Sequence, residues 1–173
     1  MTLRHGCRTA ACLLTSIFTV EPHDPIQPDE IILRRIPEAQ MGVVGTRCPL
    51  PDGFDPHRTA DVDGLSVYRE KYHTPSQVAG FRTKGSQPTW IARLRAKAIT
   101  DLGLTLKPDP LDPEDGLPAR PGHALILEIN SPARKSDAVE QWKRQLLASV
   151  VGVVGGDTGF AAPTITPIAP PQS

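Results

Sequence analysis

A chain of 173 residues fits one domain with tails and is too short for two ordinary ones. Hydrophobic residues make up 39% of it and aromatics 5%, while 19 prolines occupy positions a core would otherwise use, so one core closes only if the apolar residues concentrate in a few segments. Lys plus Arg (19) balances Asp plus Glu (19), and with no local basic block this argues against a phosphate-neutralising nucleic-acid surface while leaving self-association or a protein partner electrostatically easy.

The first 27 residues read as a leader. Arg4, His5 and Arg8 precede the apolar run Thr9 to Val20, which has the order of a signal peptide. Thr15, Ser16 and Thr19 dilute that run, and it ends in Thr19-Val20-Glu21-Pro22 with no small-x-small cleavage site. The segment is therefore expected to be disordered, translated upstream of the true start, or a weak export signal. No stretch reaches the ~18 apolar residues of a membrane span. Cys7, Cys12 and Cys48 form no C-x-x-C pair, which gives neither a disulfide framework nor zinc spacing, and cytoplasmic residence is the plain reading.

From about residue 28 the chain becomes periodic. Glu30 to Ile36 is β-branched and apolar and reads as a strand stopped by Pro37. Residues 37 to 64 are mostly loop, with a short strand at Met41 to Val44. Leu65 to Tyr68 follows the turn Asp63-Gly64 as another strand. Thr74-Pro75-Ser76-Gln77 is a capping box with proline at the first helical position, and Gly80 ends that short helix. Trp90, Ile91, Leu94, Ala98, Ile99 and Leu102 recur at helical spacing, which predicts a helix over 89–102 with Gly103 as its left-handed cap. Leu104 to Leu106 is a brief strand, 108–122 a proline-rich loop, and His123 to Ile129 a strand. Asp137 and Glu140 open a last helix carrying Val139, Trp142, Leu146 and Val150 on one side. After Gly152 a Gly/Pro-rich tail, placed at 151–173, lacks the apolar surface to fold. The expected fold is α+β: a small, largely antiparallel sheet with two main helices packed on it, over 28–150, and disordered tails on both sides.

The segments Leu33-Arg34-Arg35-Ile36-Pro37, Gly64-Leu65-Ser66-Val67, Gly103-Leu104 and Pro121-Gly122-His123-Ala124-Leu125-Ile126 come in an order that resembles a group of short uncharacterised bacterial proteins. That resemblance spans most of 30–148 and implies a shape without a chemistry.

Five residues are the candidate catalytic set: Arg34, Arg35, Ser66, His123 and Glu128. Arginine, serine and glutamate on successive strands follow the order of ADP-ribosyltransferases, where arginine grips NAD phosphate, serine shapes the nicotinamide pocket and glutamate stabilises the ribosyl cation. The Ser-Thr-Ser and Glu-x-Glu patterns of that chemistry are absent. His123 with Ser66, or with Asp61 and Asp63, would suit acyl transfer, but Ser66 lies in Gly-Leu-Ser-Val and not in a nucleophile elbow. Cys48 is followed by prolines, so no helix N-terminus activates it. His57, Asp61, Asp63 and His73 read as an Asp-Gly turn on a polar surface, and Trp90 and Trp142 as core. No cofactor fingerprint or metal set is found. The reading that follows is an accessory or interaction domain acting through a protein partner, with a transferase as the alternative and a Ser/His hydrolase third.

Overall fold

β1 (Ile31–Pro37) carries Ile32, Leu33 and Ile36 with no exposed surface, so both faces of this strand need cover. It obtains that cover in the middle of a six-stranded sheet, in the order β6-β7-β4-β1-β5-β8. The other strands are β4 (Leu65–Arg69), β5 (Thr89–Arg95), β6 (Leu106–Pro108), β7 (His123–Ile126) and β8 (Val150–Gly155), and every pairing is antiparallel. A separate hairpin joins β2 (Met41–Val44) and β3 (Thr46–Pro49). The computed structural model describes residues 23–44, 46–81, 89–114 and 116–155.

Strand alternation divides the core between the two faces. Ile32, Ile36, Leu65, Val67, Ala92, Leu94, Ala124 and Ile126 line one face, covered by Val139 and Leu146 of α3 (Asp137–Ala148), Ile99 of α2 (Ala96–Thr100) and Phe54. The other face carries a smaller cluster, in which Leu33, Tyr68 and Ile91 meet Val78 and Ala79 of α1 (Pro75–Gly80) and Phe81. α1 is too short to cover that whole face.

The capping box is present: Gln77 N–H donates to Thr74 Oγ1 at 3.3 Å, and Thr74 N–H donates to Gln77 Oε1 at 2.8 Å. The cap of α3 is Ser136, one residue before the expected Asp137, and its Oγ accepts from Val139 N–H at 3.3 Å. Trp142 is half-buried against the core, while Lys143 on the same helix is buried.

The α+β class and the antiparallel sheet agree with the sequence reading; the element over 89–102 does not. Of the two main helices expected, only α3 is long, and residues 89–95 are strand β5, followed by the five-residue α2. Trp90, Ile91 and Leu94 fit helical spacing and equally fit a strand buried on both faces, where alternation is blurred. The ladder decides: β5 pairs with β1 along its whole length, Ile31↔Arg95 through Pro37↔Thr89, and with β8 on its other side. Gly103 keeps the predicted positive φ of 78°. β7 ends at Ile126 and not at Ile129, leaving Glu128 in a turn.

The ends also differ. Val150-Val151-Gly152-Val153-Val154-Gly155 belongs to the sheet and not to a tail, because its valines pair with β5 and its glycines let Arg93 and Trp90 lie close. Upstream of residue 28, Asp24 is ion-paired with Arg69 at 2.8 Å. The leader as far as residue 22 and the tail from 156 lie outside the described residues. Among the described residues no helix is long and apolar enough to cross a membrane.

Candidate functional site

The site begins where two central strands part. β1 pairs with β4 only at Ile32↔Arg69 and Leu33↔Tyr68; beyond that point the two strands share no register. Ser66 on β4 would then lack ladder partners on its β1 side, and two side chains supply them. Arg34 Nη1 donates to Ser66 O at 2.9 Å, and Asp61 Oδ1 accepts from Ser66 N–H at 3.1 Å. A buried backbone group without a partner is costly, so this pair of side chains makes the parting possible.

Arg34 does more than fill the gap. Its Nε donates to Gly53 O at 3.3 Å and its Nη2 to Asp55 O at 3.0 Å, while Asp61 lies 3.7 Å from Nη1. Asp61 also accepts from His57 N–H at 2.7 Å, which closes the 57–61 turn. Arg34 is therefore a buried, fully engaged residue that gathers the 53–61 loop into a wall. Lys143 and Arg134 fix the far side of the wall on Asp55, with Arg134 Nη2 at 2.8 Å from Oδ2. Burial alone would lower the Lys143 pKa; the bonds to Asp55 and Glu140 outweigh it and hold the ammonium above its ordinary value.

Between this wall, the uncovered sheet face and the 109–120 loop lies a cleft of about 930 Å³. Ser66, Tyr68, Phe81, Leu111, Leu117 and Leu125 give it a largely apolar floor, and Arg34, Arg35, Arg58, Arg120 and His123 also reach it. Four of the five sequence candidates thus line one cleft: Arg34, Arg35, Ser66 and His123. Glu128 does not. Its carboxylate accepts from Thr105 N–H at 2.8 Å, capping the start of the chain that leads into β6.

His123 has a partner the sequence did not suggest. Asp109 stands opposite it at the β6–β7 edge, and the His123 Nδ1 lies 2.8 Å from Asp109 O and 3.1 Å from Asp109 Oδ2. A carbonyl oxygen only accepts, so Nδ1 carries a proton and, in the neutral ring, Nε2 keeps a lone pair. Burial pushes the His123 pKa below its ordinary value and Arg120 adds to this, against the opposing pull of Asp109. The adjacent His73 is placed by Gly122, whose N–H donates to His73 Nε2 at 3.1 Å. A Cβ at residue 122 would lie 2.7 Å from Tyr72 Cβ and 2.8 Å from His73 Cδ2, so only glycine allows this approach. No hydrogen bond joins His123 to Ser66 among the described residues.

Arg120 was also missed. It sits in the turn that opens β7, where its carbonyl accepts from His123 N–H at 3.1 Å. Its Nε is buried without a hydrogen-bond partner, and among the described residues its guanidinium has no ion pair. The other arginine that shapes the wall, Arg134, is paired with Asp55. His57, Asp61 and Asp63 line the cleft without His73, and no group of three or more metal-ligating side chains occurs among the described residues. Comparison with protein-family models, curated proteins and solved structures gives no match, so the site is read from its own chemistry.

Proposed function

We propose that the protein is an accessory binding domain that engages its partner through this cleft, seating an anionic group of the partner against Arg120. The unpaired, partly desolvated guanidinium of Arg120 carries the reading. Leaving a buried donor without an acceptor costs about 1–3 kcal/mol, a penalty that a bound carboxylate or phosphate would remove. Arg35 and Arg58 add positive charge at the same cleft, and the apolar floor offers cover for the rest of the ligand.

Titration with inorganic phosphate, sulfate and acetate, followed by amide NMR shifts, tests this. Saturable binding with shifts at 120–125 is the expected result, and Arg120→Gln should weaken it about tenfold, the loss of one charge-assisted contact. Absence of saturable binding by any of the three anions in the wild-type protein would overturn the reading. The transferase alternative takes support from Arg35 and Ser66 sharing the cleft, yet the glutamate it needs, Glu128, lies outside it, and the acids that do line the cleft are Asp55, Asp61, Asp63 and Asp109. Glu128→Gln keeps an amide oxygen that can accept from Thr105 N–H, so it should leave folding almost unchanged, with NAD cleavage undetected in both proteins. Wild-type NAD cleavage abolished by that substitution would instead establish the transferase.

A further inference from the structure

Two residues that line the cleft are chemically opposite among the described residues: Arg120 brings a donor with no acceptor, and His123 Nε2 an acceptor with no donor. The acceptor is fixed by the fold. Nδ1–H is held by the backbone carbonyl and one carboxylate oxygen of Asp109, so the imidazole cannot flip its tautomer without losing those bonds. Tyr68 packs edge-on against the ring, with centroids 5.3 Å apart. Among the described residues Nε2 has no hydrogen-bond partner, and His123 lines the cleft. Arg120 is joined to the same residue by the backbone turn at 120–123.

We propose that the cleft selects an oxyanion carrying its own O–H, a singly protonated phosphate group, whose negative oxygens meet Arg120 and whose hydroxyl donates to His123 Nε2. Sulfate has the same shape and no proton to give at neutral pH, so it would satisfy Arg120 and leave Nε2 facing an oxygen lone pair. A site built around an acceptor rejects an analogue without the matching donor far more strongly than one built on shape alone. The proposal rests on Arg120 as the anion site, and it adds His123 as the residue that sets specificity.

The test compares inorganic phosphate, methyl phosphate and sulfate by calorimetry at about pH 6, where roughly half of a phosphate monoester keeps its proton. Phosphate should bind about tenfold or more tightly than sulfate. Comparable binding of methyl phosphate would assign the site to phosphate monoesters, and its exclusion would assign it to free phosphate. In His123→Phe the preference should vanish while weak binding of both anions remains. Because that variant removes a buried ring's hydrogen bonds, imidazole ¹⁵N NMR of the wild-type protein supplies an independent readout: the Nε2 resonance should move with phosphate and not with sulfate. Equal affinities for phosphate and sulfate, still weakened together by Arg120→Gln, would overturn the role of His123 and leave the Arg120 reading standing. Failure of every anion to bind would remove both.

Discussion

Arg69→Met should cost about 3–5 kcal/mol of folding stability at neutral pH, the scale for removing one partner of a buried ionic cluster. Arg69 has no exposed surface at the end of β4, yet its guanidinium is fully engaged. Nε and Nη2 meet the two oxygens of Glu30 at 2.9 and 2.8 Å, Nη1 meets Asp24 Oδ1 and O at 2.8 and 2.9 Å, and the Tyr72 ring lies 5.0 Å away. Methionine of similar length would leave Glu30 nearly buried, with the Gln27 amide and Lys71, at 3.5 Å, as its remaining partners. It would also release the lead-in at Asp24, and the acid response should change with it. Asp24 is held below the ordinary carboxylate range by Lys71, Tyr72 and Arg69, while Glu30 is pushed up by burial and brought below its usual value by Arg69 and the Gln27 amide. A depressed pKa in the folded state gives stability that is complete above the unfolded value and is lost as pH falls through the folded one. Wild-type stability should therefore decline below about pH 4.5, the ordinary glutamate value, and Arg69→Met should decline less steeply there. Urea midpoints at neutral and acid pH measure both effects. A neutral-pH loss under about 1 kcal/mol, or parallel acid slopes, would show that Lys71 suffices for both carboxylates.

What the sequence revealed about this fold followed the strength of its local signals. β1, β4 and the start of β7 were readable because β-branched residues there are bounded by proline or glycine, and α1 because its capping box is self-contained. β5 was not. With α1 on one side and α3 on the other, it buries residues on both faces, so alternation disappears and a helical spacing fits as well. β8 was lost because its two glycines resemble the start of the tail. The same logic governs the site. Arg34, Arg35, Ser66 and His123 could be singled out because polar residues on apolar strands stand out. Arg120 and Asp109 lie in a proline-rich loop whose path depends on the β6–β7 edge, and no local signal separates them from their neighbours. The apolar run through Ile129 places Glu128 on a strand face, whereas the strand ends at Ile126.

Arg34→Met should cost a similar amount, about 3–5 kcal/mol, and should damage the cleft before it unfolds the sheet. The substitution removes the donors for the carbonyls of Gly53, Asp55 and Ser66 at one stroke, and it leaves Asp61, whose side chain is 3% exposed, without its cation. All four groups belong to the wall or to the parted edge of β4, whereas β1 itself remains paired with β5 along its whole length. Local opening of the 53–66 segment is thus easier than global unfolding, and it would expose amides that Asp61 now protects. Hydrogen exchange should show lost protection first at His57 and Ser66, both of which donate to Asp61, with β5 amides unaffected. Anion binding should weaken in the same variant although Arg120 is intact, because the cleft would lose one side. Arg34→Lys separates charge from geometry. A single ammonium can restore the partner of Asp61 and cannot reach three carbonyls in the fork of a guanidinium, so it should recover only part of the stability. Uniform loss of protection across β1, β4 and β5 would instead show that Arg34 holds the sheet as a whole, and that the parted strands are not a separately stable wall.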